Sequence, residues 1–423
     1  KRAGAVNLYI RGTQSKSALK SVPAGFIAFD EVEEMVQDNI AMAFERAAGQ
    51  LEERKQFWMI STPTIEGVGI NKEFSYTTQE AYVFKCPRCS RFTELIYPDC
   101  LVIVGDDPTS PEVKDSYLIC KECKGTLHQH EKPEFLKDAI WVPKYPNRID
   151  RGFNISQLYS YTVHPSELAI QTLKAPNDPA IEQDLYNSKL GLTHVVAGAK
   201  IDDNQINECL GSHSKNAPPD QGGVITMGID VGSYLHYEIV KWSLPKRSQG
   251  TSDINLECRA KVLTFGKVKH FEQIIEIIRS YIPMAIVIDA NPERRKAQEL
   301  AAHFYGRVKL CLYGRGPQTK KISVNSDPVE PTVTVNRTSW LDQSLGRFRT
   351  GTISLPNDVD NEYRSHIKNL VRVPKKDSYG NPTAEYITAN GEDHYAHAHT
   401  YAEIALPLAL KSMGNQNITE DVL

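Results

Sequence analysis

The chain has 423 residues, 40% hydrophobic and 24% charged, and 49 basic against 52 acidic residues leave a net charge of −3. Such values fit a folded chain of two or three domains at ~100–200 residues each. No run approaches the ~18 apolar residues of a membrane span, and the start, Lys1–Ala5, carries no signal-peptide core. A membrane protein, a secreted disulfide scaffold and a disordered chain are thereby excluded, and any binding of nucleic acid must use a local basic surface.

Phe26-Ile27-Ala28-Phe29 is a short apolar run ending in Asp30-Glu31, and it reads as a buried strand with an acidic tip. A polar, helix-like stretch follows from Val32 to Arg54. Phe57-Trp58-Met59-Ile60 then predicts a second buried strand, ending in Ser61-Thr62-Pro63-Thr64. Two buried strands around a helix imply parallel α/β structure. A buried strand ending in Asp-Glu is also a Walker B arrangement: Asp30 would orient Mg²⁺ through water, and Glu31 would polarise the water attacking a γ-phosphate. Ser61 and Thr62 would then belong to a nucleotide-sensing loop. No G-x-x-x-x-G-K-[ST] phosphate loop occurs in the 423 residues. Either that loop lies upstream or the ATPase part has lost it; the Lys1 start favours the first.

Four of the eight cysteines form two C-x-x-C pairs, Cys86/Cys89 and Cys120/Cys123, with 30 residues between them. Each pair can supply two thiolates from one tight turn, and four complete the tetrahedral shell of a structural Zn²⁺. Gly125 suits the turn after the second pair. Unconnected thiols or disulfides are the alternative. Cys100, Cys209, Cys258 and Cys311 are expected to be small buried hydrophobes. Residues 131–200 give weaker signals, with a helix expected near Pro179–Leu190. Ser212–Gly223, rich in Gly, Pro and Ser, reads as a linker.

Beyond it the spacing predicts strands over Val224–Asp230, His236–Leu244 and Leu256–Phe265, and a helix over Val268–Tyr281. A strand over Ala285–Asp289, a helix over Pro292–Phe304 opening with Pro at its first turn, and a strand over Val308–Leu312 complete the series. Three antiparallel strands followed by αβαβ is the element order of a ribonuclease H-like sheet. In that architecture the first and fourth strands are parallel neighbours, so Asp230 and Asp289 would lie side by side. Adjacent carboxylates repel unless a cation separates them. With Mg²⁺ or Mn²⁺ they form the core of a two-metal site for phosphodiester hydrolysis. A third ligand is expected from Asp393, His394 or His397, at the head of the helix running through Tyr401, Ile404 and Leu408. Asp393 and His397, four apart, share one helical face. The bland alternative is a loop cap at Asp230, a turn at Asp289 and a dipole-favoured carboxylate at Asp393.

From Arg294 to Lys376 there are sixteen basic and seven acidic residues, an excess of nine within a net-negative chain. Such a segment suits sequence-independent, salt-sensitive contact with a phosphate backbone, or is simply a solvated face. Arg294, Arg295, Lys320, Lys321, Lys375 and Lys376 are the candidate DNA contacts.

Taken together, Phe26–Met35, Ile60–Ile70, the cysteine pairs, Tyr186–Gly191, Gly228–Gly232, Ile288–Ala290 and the helix reaching Tyr401-Ala402 resemble the large subunit of a tailed-phage DNA-packaging terminase of the lambda-like branch. The likeness spans nearly the whole chain, and the order of its motifs is more specific than any one of them. It implies an ATP-driven translocase joined to an endonuclease that cuts concatemeric double-stranded viral DNA. The expected layout is the C-terminal part of a P-loop ATPase domain over 1–80, a zinc-ribbon module over 81–130, a connecting segment over 131–220 and the ribonuclease H-like nuclease over 221–423. The resemblance further implies ATP as cofactor, the portal protein and the small terminase subunit as partners, a homo-oligomeric ring on the procapsid, and the host cytoplasm as location. It also places a second acid where this chain has His397. Two rival readings are a transposase or integrase-like nuclease of the same fold, which has no use for Asp30-Glu31, and a non-catalytic zinc-ribbon DNA-binding protein.

Overall fold

The computed structural model describes residues 2–3, 6–13, 19, 23–51, 53, 55–216, 222–244, 257–314, 322–376, 381–389 and 391–413. The chain divides into two compact units, residues 1–196 with 374–382, and residues 197–373 with 383–423. No helix among the described residues is long and apolar enough to cross a membrane.

In the first unit, β1 (Phe26–Asp30) and β2 (Gln56–Ile60) pair in parallel, with Asp30 opposite Ile60. Between them lie a 3₁₀ turn over Val32–Glu34 and α1 (Gln37–Phe44), in place of one long helix. The pair has no third strand among the described residues. The expectation of two buried strands is therefore wrong: Phe29 is buried, but Phe26 is 53% exposed and Trp58 59%. Alternating side chains of a parallel pair bury on both faces only when both faces are covered. Here Phe29 and Ile27 pack with α1 residues Ile40, Ala43 and Phe44, on one side.

Downstream, α2 (Gly69–Ser75) precedes a three-stranded sheet of β3 (Glu80–Lys85), β4 (Phe92–Thr93) and a later strand, β8 (Ile140–Pro143). A second small sheet joins β5 (Leu101–Val102), β6 (Tyr117–Ile119) and β7 (Thr126–Leu127). The expected helix near 179–190 consists of α4 (Pro179–Asp184) and a π-helical turn over Leu185–Lys189; α3 (Pro165–Lys174) precedes it, capped by His164 and Glu167.

The second unit opens with α5 (Asp203–Glu208). Its central elements follow the expected order: β9 (Val224–Val231), β10 (Leu235–Ser243), β11 (Arg259–Val268), α6 (Phe271–Tyr281), β12 (Ala285–Asp289), α7 (Arg294–His303) and β13 (Val308–Gly314). Pro292 precedes α7 rather than opening it. The chain continues through β14 (Ile322–Asn325), β15 (Thr332–Asn336), α8 (Arg337–Thr350), β16 (Ile353–Ser354) and α9 (Asn361–Lys368). The hairpin β17 (Leu370–Lys376) and β18 (Pro382–Thr388) leads into α10 (His394–Ser412). Eight strands form one sheet in the order β14-β15-β13-β12-β9-β10-β11-β16. β9 and β12 are parallel, with Ile229 opposite Ile288.

Both faces of this sheet are covered, which is why its strands read as nearly continuous apolar runs. Met227, Ile229, Ile286, Ile288 and Leu310 pack with Ile274 and Ile278 of α6 and Leu300 of α7. Burying each such side chain contributes roughly 1.5–3 kcal/mol. The alternate residues Val224, Val287 and Cys311 pack with α8, α9 and α10. Gly228 lets α10 lie close on β9, because a Cβ there would stand 1.9 Å from the carbonyl oxygen of Ala398. Thr226 locks the contact by donating to the Ala402 carbonyl at 2.7 Å.

The Gly/Pro/Ser-rich stretch is in part docked rather than free. The His213 ring bonds the Val262 carbonyl at 2.8 Å, and the Asn216 amide donates to Leu263 at 3.1 Å. Residues 217–221 of that stretch lie outside the described residues.

Candidate functional site

Strand parity decides where the acids of the second unit point. Asp230 follows Thr226 and Gly228 at two-residue spacing, and Asp289 follows Ala285 and Val287, so both face α10. They stand at the C-terminal ends of hydrogen-bonded parallel neighbours, as the element order predicted. Asp230 is buried and Asp289 half-buried. Burial, reinforced by the charge of Asp230, pushes Asp289 up to about 6, against the Asn291 backbone N–H and the Tyr401 hydroxyl that favour its ionised form.

The head of α10 completes the cluster. His394 shares a 2.7 Å hydrogen bond between its Nδ1 and Asp230 Oδ2, which holds the imidazole above its ordinary value despite burial. Asp393 precedes the first helical turn, but its side chain does not cap the helix. It accepts from the Thr388 hydroxyl at 2.6 Å and lies 3.5 Å from His397 Nε2. Burial would raise Asp393; His397, Thr388 and the Arg337 charge overcome it and hold the carboxyl well below the usual range. The other nitrogen of His397, Nδ1, is 3.0 Å from the Tyr313 hydroxyl on β13. Asp393 and His397 thus do share one face, and both ring nitrogens of His397 face partners.

Two histidines beside this cluster escaped sequence reasoning. His236 on β10 lies opposite Asp230 in the antiparallel register and stacks on His394, with ring centroids 4.5 Å apart. Counting across the Gly232–Tyr234 hairpin would have found it. Burial and the neighbouring His394 and His366 push His236 down to about 4, so it is neutral at pH 7. His366 on α9 has its ring 5.7 Å from that of His394, and burial lowers it as well. Nothing in the local pattern of α9 marks this residue.

Behind α10 the unit holds a buried charged network. Glu238 bonds the His399 ring at 2.6 Å and accepts from Tyr363 at 2.9 Å. Arg347 pairs with Glu403 in bidentate fashion, at 2.5 and 2.6 Å, and donates to the Cys258 carbonyl at 2.6 Å. One of the sixteen basic residues is thus in the core rather than on a DNA-facing surface.

The other basic candidates are distributed. Arg294, heading α7, pairs with Glu330. Arg295 is almost fully exposed, 3.5 Å from Glu299. Within the first unit, Lys375 bonds Glu34 at 3.0 Å. Lys320 and Lys321 lie outside the described residues, as does the side chain of Lys376.

In the first unit the four cysteines converge, all four sulfurs lying within 4.8 Å of one another. The pairs occupy equivalent turns: the Ser90 amide donates to the Cys86 carbonyl and the Lys124 amide to the Cys120 carbonyl, both at 2.9 Å. Backbone N–H groups of Arg88, Glu122 and Gly125 point at Cys86, Cys120 and Cys123 sulfurs at 3.3–3.4 Å. The residue in the left-handed region is Lys124 (φ 58°), matched by Ser90 (φ 60°), rather than Gly125. Gly125 is needed for space, since a Cβ there would meet Arg88 Cβ at 3.0 Å. The remaining four cysteines are buried.

The acidic tip of β1 and the Ser61–Thr64 segment also meet. The Glu31 amide donates to Ile60 at 2.8 Å, with Glu31 itself left-handed (φ 59°), and the Glu33 amide donates to Ser61 Oγ at 3.2 Å. Asp30 and Glu31 are exposed. The Thr64 carbonyl accepts from Asn187 and His194 at 2.9 and 3.1 Å, which fixes the far end of the segment.

Among solved structures, the large terminase nuclease of thermophilic phage G20c with bound magnesium is 12% identical, covering 49% of this chain and 98% of that one at a TM-score of 0.30. The large terminase of a second thermophilic bacteriophage, in complex with ATP-gamma-S, is 9% identical, covering 92% and 72% at 0.31. No curated protein matches the chain. The model of the phage terminase large subunit gpA ATPase domain matches residues 2–141, and that of the terminase large subunit gpA endonuclease domain matches residues 150–254. With both parts of one family present in succession, the chain belongs to the phage terminase large subunits, which combine an ATPase and an endonuclease domain in DNA packaging.

Proposed function

We propose that the second unit is a ribonuclease H-like, two-metal DNA endonuclease whose acids are Asp230, Asp289 and Asp393. The observation that carries this is the pairing of two carboxylates on one face of adjacent parallel strands, one of them pushed up to about 6 by burial and by its neighbour. Such a pair fits a divalent cation, which relieves both the repulsion and the desolvation. Mg²⁺ or Mn²⁺ held there would supply activation of water and stabilisation of the leaving oxygen of a phosphodiester. His394 orients Asp230, and Tyr401 orients Asp289. His397, engaged by Asp393 and Tyr313, positions the third acid rather than ligating directly. Arg294 and Arg295, five and six residues past Asp289, are suited to hold a phosphate backbone, with Lys320, Lys321, Lys375 and Lys376 as further contacts.

The first unit is proposed to supply the Walker B acids, Asp30 and Glu31, with Ser61 and Thr62 coupling ATP hydrolysis to DNA movement. The four cysteines are proposed to hold a structural Zn²⁺; four converging thiols with N–H groups aimed at sulfur fit a closed tetrahedral shell. The proposed domain layout is 1–80 ATPase, 81–130 zinc module, 131–220 connection and 221–423 nuclease. Double-stranded viral DNA, the portal protein and the small subunit are the expected partners, at the procapsid in the host cytoplasm.

The test is plasmid cutting by the chain with and without Mn²⁺. Asp230→Ala and Asp289→Ala should each lower the metal-dependent rate by roughly 100-fold or more. Undiminished cutting by either variant would discard the site.

A further inference from the structure

We propose that His236, Glu362 and Glu392 form a separate binding site for a first-row divalent transition ion, beside His394. One donor atom from each lies within 4.8 Å of the others. The three come from β10, α9 and the segment just before α10, so the site would tie together elements distant in sequence.

The observation that points to a ligand is His236 itself. It is 2% exposed, and neither Nδ1 nor Nε2 has a hydrogen-bond partner among the described residues. Buried polar atoms are nearly always satisfied, so an imidazole open at both nitrogens and beside two carboxylates implies a missing partner. Stacking on His394 and edge contact with Tyr395 fix the ring plane, and one ring nitrogen lies within 4.8 Å of a carboxylate oxygen of each glutamate. His366 Nε2, 3.5 Å from Glu392, holds that carboxylate near the pocket, while its Nδ1 accepts from the Tyr395 amide at 3.4 Å. Lys267 donates to Oε1 of Glu362 at 2.5 Å and so holds that carboxylate in place.

One imidazole and two carboxylates suit Zn²⁺, Mn²⁺ or Co²⁺ better than Mg²⁺, which favours an all-oxygen shell with several waters. Glu392 is next to Asp393 in sequence, and His236 is against His394. An ion here would therefore brace the head of α10, the element that brings Asp393, His394 and His397 to the acids on the strand ends. The inference does not rest on the nuclease reading, since none of its three ligands belongs to that site.

The test is a Co²⁺ titration of the full chain, its cysteine cluster loaded with Zn²⁺ and the strand-end acids removed as Asp230→Ala/Asp289→Ala. Calorimetry and visible absorption should report one further Co²⁺ per chain, undisplaced by Mg²⁺. On that background His236→Ala and Glu392→Gln should each weaken binding by at least ~10-fold. Glu392 is exposed, so its variant leaves the fold intact and decides the matter even if His236→Ala fails to fold. Absence of the extra Co²⁺, or unchanged affinity in Glu392→Gln, overturns the proposal. Plasmid cutting by the parent chain reads the strand-end acids independently.

Discussion

Two parallel strand pairs in this molecule carry the same sequence signature and have different fates. β1 and β2 end at Asp30 and Ile60; β9 and β12 run to Asp230 and Asp289, with one residue of β9 following. Each is a short apolar run, and in each pair an acid stands at a strand end. In the first unit the pair has one covered face, and its acids sit in water. In the second, six further strands and helices on both faces enclose the pair, and Asp289 is pushed up to about 6. An apolar run therefore identifies a strand, while its neighbours decide the burial and, through burial, the chemistry of the acid at its tip.

The units also differ in what holds them. The first has smaller apolar cores and the converging cysteines, the second two large apolar layers with a buried ion pair behind α10. On the zinc reading, Cys120→Ser or a chelator should have the largest effect, because structural zinc contributes roughly 10–16 kcal/mol of apparent binding energy in small domains. Hydrogen exchange should show β3–β8 losing protection while β9–β13 keep theirs; loss in both would break the comparison. Arg347→Met, which strands Glu403 uncompensated, should cost about 3–5 kcal/mol in the second unit alone, measured by urea unfolding. Gly228→Ala should cost about 3 kcal/mol there, since the added methyl must push α10 off β9.

The smallest effect sharpens the comparison from the other side. Lys132 is buried in the first unit, donates to the Ser160 carbonyl at 2.8 Å, and is lowered by burial to about 8 from 10.5. The unfolded chain thus binds more protons between these values, and stability should rise with pH from about 8 to 10.5. Lys132→Met should abolish that rise and gain about 1–3 kcal/mol below pH 8. A stability profile identical to that of the parent chain would show that the buried ammonium is not strained.

Much of the second unit was legible in advance. Alternating and continuous apolar runs marked β9 to β13, and the turn residues between them separated strand from helix, because these signals are local. The C-x-x-C spacing marked the cysteine cluster for the same reason. The exposed face of β1 and β2, the burial of Arg347 and the break at Phe44–Ala47 in the expected long helix were not legible. Each depends on which distant element packs alongside.

At the candidate site the division is equally physical. Sequence alone placed Asp230, Asp289 and Asp393 at element ends and set Asp393 and His397 on one helical face, since backbone periodicity determines both. Only tertiary structure decided that His394 bonds Asp230, that His397 spans Asp393 and Tyr313, and that His236, Glu362 and Glu392 converge. The contacts that join different elements, such as Asp230 with His394 at 164 positions apart and Tyr313 with His397 at 84, have no local propensity that encodes which long-range partners the packed sheet and helices bring within bonding distance.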